Sequence, residues 1–470
     1  MTSTLTPLTD FSDRLSPMVV KELRQGLRTR AFGSTMLFMR VLLILITLIT
    51  GSAQNTDETR WMLDGLSTLV LCLVVPFRVS NALAEEVKLN TMDMLMLTRL
   101  SCSRIVFGKW ASVALQSALI ALSLMPYIVA RYVFGGMDVM LELSMLALKW
   151  IVGVVFAAVL VLLSTIRQAW LRMIIVLVPL FLGGFGMIGF LFVGTVGRSS
   201  FMDSLTLTSA LLTVAATLIV AVWAVFASLS MAASRISSPS VPLSGLKRGI
   251  HTTCLLLMLL MYGITSNDGY LVAVLVVLCV MTLDVMTESL NLVPTGYVSW
   301  FKRGVFGRLA MPFLSPGWAS GFFLTSILTG LILVVMFLVH GSAETSYYVL
   351  ACCTVWMVTA LVQILPTRHA EDLLPIFIGT FCVVYLLAGM LSGMGIFMAK
   401  SSNQPPWLLV VSPPSALIGC SQVSAGTDRE HFLRIGMLCG TVWPLLMAFL
   451  SLRVWYKLRP VREQARRMAS

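Results

Sequence analysis

FLTSILTGLILVVMFLV, residues 323–339, holds no charged side chain. As a helix it rises about 25 Å, close to the apolar thickness of a bilayer. VLLILITLIT (41–50) and LLLMLLMYGIT (255–265) repeat that composition. None of these runs alternates apolar with polar residues, which excludes the short amphipathic strands of a membrane β-barrel. Over the full 470 residues, 58% are hydrophobic and 11% charged, with a mean hydropathy of +0.91. A soluble domain carries charge at roughly a quarter of its positions. The chain therefore reads as an all-α polytopic membrane protein.

Twelve spans fit the pattern, at roughly 36–52, 61–83, 104–130, 141–165, 172–196, 205–233, 250–266, 269–288, 317–340, 347–366, 372–398 and 432–453. With the N-terminus in the cytosol, most of the 33 basic residues fall on the cytosolic side, as the positive-inside rule requires. Arg60, Arg131, Arg198, Lys400, Arg429 and Arg434 are the external exceptions, and Lys149 falls within a span. The C-terminal RVWYKLRPVREQARR is strongly basic, so that end is expected in the cytosol too. The first 35 residues are polar and basic, unlike a cleavable signal peptide, and the first span is expected to act as its own targeting signal. The net charge of +12 answers to this topology and does not call for nucleic acid.

SRISSPSVPLSGLKRG, residues 234–249, reads as a Ser/Pro-rich cytosolic linker with six spans on each side. The expected organisation is a cytosolic N-terminus (1–35), a six-span unit (36–233), the linker (234–249), a second, diverged six-span unit (250–453) and a basic tail (454–470). A long cytosolic break at Ser289 to Pro316 holds the ordinal place in the second half that residues 84–103 hold in the first. There Val298, Phe301, Val305 and Leu309 form a helical stripe, with Trp300, Lys302 and Arg303 suited to a membrane interface.

Catalytic patterns are missing. No Walker A phosphate loop occurs. His251, His340, His369 and His431 are scattered, with no HExxH spacing, and the nine cysteines form no CxxC pair. Glu85-Glu86 matches the paired glutamates of some intramembrane proteases, without the arginine and histidines that chemistry needs. No enzyme activity, metal or cofactor is expected in this chain. Among ionisable residues in spans, Glu142, Asp284 and Glu288 lie near span ends, where snorkelling or exposure explains them. Lys149 is deeper, with Glu142 seven residues away on the same helix face.

Two polar stretches carry more information. In RLSPMVVKELRQGLRTRA (14–31), Ser16 is a suitable N-cap and Pro17 a suitable first helical residue. Val19, Leu23, Leu27 and Ala31 share one face, while Lys21, Arg24 and Arg28 fall opposite. This predicts an amphipathic helix lying in the headgroup layer. The other stretch is AEEVKLNTMDMLMLTRLSCSRIVFGKW (84–110). Asn90 or Thr91 is suited to cap a short helix beginning at Met92, and Asp93 in its first turn meets the helix dipole favourably. Met94, Leu95, Met96 and Leu97 then offer soft apolar contacts for a partner groove, a break falls near Asn90, and Ser103 is suited to cap the next span. The plainer alternative is a loop that only caps spans two and three.

SPMVVKELRQGLRTRAF (Ser16 to Phe32) and EEVKLNTMDMLMLTRLSCSRIVFGKW (Glu85 to Trp110) together resemble permease subunits of ABC-2-type transporters. Ser16–Phe32 is similar to the family's small residue, Pro, KELR and further arginines. Glu85–Trp110 is similar to its acidic residues, leucines, Thr-containing turn and Gly-Lys. Asn90 and Arg99 stand where glycine and proline are usual, and the C-terminal half carries neither motif. The resemblance implies a separate ATP-binding subunit seated on Glu85, Glu86, Thr91, Met92, Asp93, Met94, Leu95, Met96, Leu97 and Thr98. It implies an interfacial connecting helix bearing Lys21, Glu22, Arg24 and Arg28, with ATP held by the partner. It also implies a bacterial cytoplasmic (inner) membrane, with a further copy or another permease as pairing partner. The competing classes are an ion-coupled secondary carrier and a non-transporting membrane scaffold.

Overall fold

A computed structural model describes residues 17–52, 64–80, 83–84, 101–134, 139–166, 168, 172–173, 207–238, 243–290, 292–364, 373–402, 412–420 and 427–469. About 90% of the described residues are helical, with no strand among them. The chain divides into two compact units, Met1–Ile236 and Ser237–Ser470.

In the first unit, helix α1 (Pro17–Leu27) begins at Pro17, where the fixed φ suits a first turn. Thr29 ends it and starts α2 (Arg30–Ser52): its hydroxyl donates to the Gly26 carbonyl and accepts from the Phe32 N–H. Helix α3 (Asp64–Phe77) contains a π turn over Val70–Val74. Pro76 lacks an N–H to donate, and the wider turn lies just ahead of it. Helices α4 (Cys102–Phe134), α5 (Val139–Leu163) and α6 (Leu207–Ile236) pack mutually, and α5 also covers the π turn. Gly153 makes that approach possible, since a methyl there would meet the Leu71 carbonyl oxygen. Helix α4 starts at Cys102, with the Ser101 carbonyl accepting from the Arg104 and Ile105 N–H groups. Ser101 therefore takes the capping place expected of Ser103.

The second unit opens with the antiparallel pair α7 (Ser244–Thr265) and α8 (Asp268–Met286). Their turn uses Ser266 in the left-handed region and Asn267, whose side chain caps α8 through the Gly269 N–H. Two short helices follow, α9 (Thr295–Lys302) and α10 (Gly304–Leu314), then α11 (Trp318–His340) and α12 (Ser342–Ile364). The remaining helices are α13 (Leu373–Ser402), α14 (Pro413–Cys420), α15 (Thr427–Lys457) and α16 (Arg459–Ala469). Helix α12 packs on α15, and α16 folds against α9. The stripe expected to continue from Val298 to Leu309 is broken at Gly304, whose φ of 68° separates α9 from α10. Trp300 is buried against Gly245 at the start of α7 and does not face outward.

Among the described residues, eight helices are long and apolar enough to cross a membrane. Spans expected at 36–52, 61–83 and 372–398 coincide with helices whose apolar stretches are shorter, and most of the span expected at 172–196 lies outside the described residues. Large apolar side chains stay exposed along these helices, including Phe38, Phe226, Leu338, Leu386 and Leu445. So much exposed apolar surface suits lipid and would aggregate in water.

Candidate functional site

Glu85, Glu86, Thr91, Met92, Asp93, Met94, Leu95, Met96, Leu97 and Thr98 lie outside the described residues. What the structure describes is the protein on either side of that stretch, up to Ala84 and from Ser101. On the incoming side, Arg78 follows α3 and joins three elements. Its guanidinium donates to the Gln116 side chain of α4 at 2.9 Å, to the Thr29 hydroxyl at 2.6 Å and to the Gly26 carbonyl at 3.4 Å, and it lies over the Phe32 ring. Two residues on, the Ser80 carbonyl accepts from Arg172 at 3.1 Å. Leu83 and Ala84, the last described residues before the stretch, are buried.

On the outgoing side, α1 lies along the first turns of α4. Met18 crosses Gly108 so closely that a Cβ there would come within 2.7 Å of its Cγ. Glu22 pairs with Lys109 at 3.5 Å, and Val19 and Leu23 are buried. The apolar face of α1 is thus occupied by protein, which refines the expectation of a helix lying only in headgroups. Lys21, Arg24 and Arg28 remain on the exposed side, as the periodicity predicts, whereas Glu22 turns towards α4. The described residues flanking the stretch, with α1, form one braced seat. Arg78, Gln116 and Arg172 carry much of it, and local sequence held no signal for them because their partners are remote along the chain.

At the end of the first unit away from Arg78, Lys149 is buried and donates to the Asp64 carboxylate at 3.0 Å and the Ser67 hydroxyl at 2.9 Å. Asp64 also anchors the first turn of α3, its carbonyl accepting from the Ser67 and Thr68 hydroxyls. A cavity of about 30 Å³, roomy enough for one water, lies beside them, with Tyr127 and Glu142 on its wall. Asp64 thus supplies the counter-charge to Lys149.

The second unit buries a larger set. Lys247 pairs with Asp284 at 2.9 Å and reaches Glu288 at 4.0 Å. Arg248, fully enclosed, donates to Glu288 at 2.7 Å, to the carbonyls of Phe313, Ser315 and Gly317 at 2.7, 2.6 and 2.9 Å, and to the Ser320 hydroxyl at 2.9 Å. His251 lies 3.8 Å from Asp284. Lys247 and Arg248 stand in the first turns of α7 and Asp284 in the last turn of α8, so each opposes the dipole of its own helix. Mutual pairing offsets that cost. This corrects the expectation that Asp284 is explained by snorkelling or exposure, because it is buried against α7. Arg248 thereby fixes the α10–α11 bend, where Gly317 has a φ of 107°, a conformation nearly closed to other residues. Beside the bend, burial pushes the Tyr297 phenol up to about 12, and its hydroxyl donates to the Pro316 carbonyl at 3.4 Å.

Among the described residues, no group of three or more His, Cys, Asp or Glu side chains is placed to hold a metal ion. No protein-family model, curated protein or solved structure matches the chain.

Proposed function

We propose that this chain is the membrane-spanning permease subunit of an ATP-driven transporter of the ABC-2 type. In this reading a separate ATP-binding subunit couples to it through residues 84–103, and ATP is held there and not on this chain. The observation that carries the reading is the pair of stretches Ser16–Phe32 and Glu85–Trp110, in that order and spacing. Its support in the structure is mechanical. A push on residues 85–98 needs firm ends, and Arg78, Arg172, Glu22–Lys109 and Met18–Gly108 supply them. Force applied there would pass towards α3 and α4 and rock the two six-span halves between two arrangements.

The same reading takes the chain as twelve spans in two diverged halves, with both termini in the cytosol of a bacterium and the protein in its inner membrane. A further copy or another permease completes the pathway if one chain does not.

The experiment is co-purification of the full chain with the ATPase encoded beside it. Asp93→Arg and Glu86→Arg are expected to abolish the association and the stimulation of ATP hydrolysis. If both variants associate and stimulate normally, the coupling reading is wrong. The buried Asp64–Lys149 pair beside Glu142 favours one competing reading, an ion-coupled carrier. Transport driven by a proton or sodium gradient in vesicles free of any ATPase would establish that alternative.

A further inference from the structure

The short helices of the second unit form a basic surface next to the ends of two membrane-length helices. Residues 295–314 and 457–469 hold eight basic side chains against one carboxylate, Glu463. Helix α16 packs on α9, and its Ala465 is buried, as is Leu458 just before it. Within it Arg462 is committed to Trp455, lying 3.7 Å over the ring and donating to its carbonyl at 2.7 Å, and Arg459 pairs with Glu463 at 2.8 Å. Lys302, Arg303, Arg308, Lys457, Arg466 and Arg467 are exposed as well, with Arg303 lying 5.0 Å over the Trp300 ring.

Helix α10 adds an apolar element. Val305, Phe306 and Leu309 are 69%, 85% and 66% exposed on adjoining turns, with Arg308 beside them. Their depth is constrained, because only Ser315, Pro316 and Gly317 separate α10 from α11, a membrane-length helix, and Arg248 clamps that bend. On the other side, α16 follows α15, also of membrane length, after Leu458 alone. Exposed apolar residues held at the end of a span, flanked by cations, match the chemistry of an anionic bilayer surface. A cytosolic protein surface would have to displace lipid from Phe306 to reach the same place.

We infer that α9, α10 and α16 form a binding surface for anionic phospholipid, with Phe306, Val305 and Leu309 inserted at the acyl boundary and Lys302, Arg303, Arg308, Arg466 and Arg467 on the headgroups. The occupant is the adjoining leaflet of the membrane in which the chain itself sits. The surface does not depend on the chain's being an ABC-2 permease.

The test uses the purified full chain in mild detergent, titrated separately with phosphatidylglycerol, phosphatidylcholine and inorganic phosphate. Native mass spectrometry reads retained lipid, and thermal unfolding reads stabilisation. The expected result is selective retention of phosphatidylglycerol and a rise in Tm with it alone. Inorganic phosphate leaves Tm unchanged. The variant R303Q/R308Q/R466Q/R467Q loses that selectivity, retaining the two lipids equally, while its Tm in phosphatidylcholine matches the unaltered chain. F306Q, which keeps every charge, also lowers phosphatidylglycerol retention. Equal retention of both lipids by the unaltered chain overturns the proposal, as does full selectivity in the fourfold variant. Stabilisation by inorganic phosphate to the same extent overturns it too. Loss of ATPase association in the fourfold variant with lipid selectivity intact would assign the surface to a protein partner instead.

Discussion

Replacing Arg248 with methionine removes a buried cation that donates to Glu288, Ser320 and three backbone carbonyls. Two of its acceptors have a reserve, since the Ser320 hydroxyl also donates towards the Ser315 and Gly317 carbonyls. The Phe313 carbonyl and Glu288 have less: among the described residues Glu288 keeps Lys247, at 4.0 Å. Breaking a buried ion pair from one side costs about 3–5 kcal/mol. The Glu288 side chain is 16% exposed, which lets water take part of that cost and places the loss near 3 kcal/mol. An orphaned buried carbonyl adds about 1–3 kcal/mol. The expected destabilisation of Arg248→Met is therefore about 4–6 kcal/mol. Arg248→Met with Glu288→Met should recover much of it, because an apolar pair in place of a buried ion pair is often neutral. Reversible unfolding of the full chain in mixed micelles, followed by tryptophan fluorescence, measures both variants. A loss below about 1 kcal/mol for the single variant, the scale of an exposed ion pair, would refute the clamp. So would a double variant no more stable than the single one.

Three further outcomes follow from the packing. Gly153→Val should destabilise the first unit by more than about 3 kcal/mol, because the side chain has the Leu71 carbonyl in its way and backbone cannot step aside; the same unfolding assay, with Gly263→Val as an open-site control, checks it. Lys149→Met should be costlier than Asp64→Asn combined with Lys149→Met, since the single change strands a carboxylate at 14% exposure; equal stabilities would mean the pair is uncoupled. Arg78→Ala removes the tie between α3, α4 and the α1–α2 turn and should speed protease cleavage within residues 85–100 several-fold while the rest of the chain is cut at its usual rate; unchanged cleavage there would show that the frame is not held by Arg78.

Much of the fold could be read from the residues alone because a bilayer leaves the backbone few options. An apolar run of 17 or more residues must satisfy its hydrogen bonds internally, so FLTSILTGLILVVMFLV is a helix whatever its neighbours do. The Pro17 start of α1 and its buried face at Val19 and Leu23 were legible for the same local reason. The ionic sites were not. Arg248 stands 40 residues from Glu288, and Lys149 stands 85 from Asp64, so neither partner can be found by periodicity. Arg248 was further disguised by its place in a Ser/Pro-rich stretch that reads as a solvated linker, although α7 already begins at Ser244. Trp300 misled in the opposite sense: tryptophan beside lysine and arginine signals a membrane interface, but here the ring packs on Gly245, and the glycine at 304 turns α10 out in its place. The break at Gly304 is what transfers the interfacial role from Trp300 to Phe306.

Contact between residues 85–98 and a separate ATP-binding subunit, as proposed above, is tested by photo-crosslinking. A photoreactive residue is placed at Met94 or Leu95 of the full chain, expressed with the ATPase encoded beside it, and illuminated in native membranes. A covalent adduct with the ATP-binding subunit is expected from both positions, lost when Asp93→Arg is added. Absence of the adduct from both positions while the two proteins are present in the same membrane, or an adduct unaffected by Asp93→Arg, would contradict it.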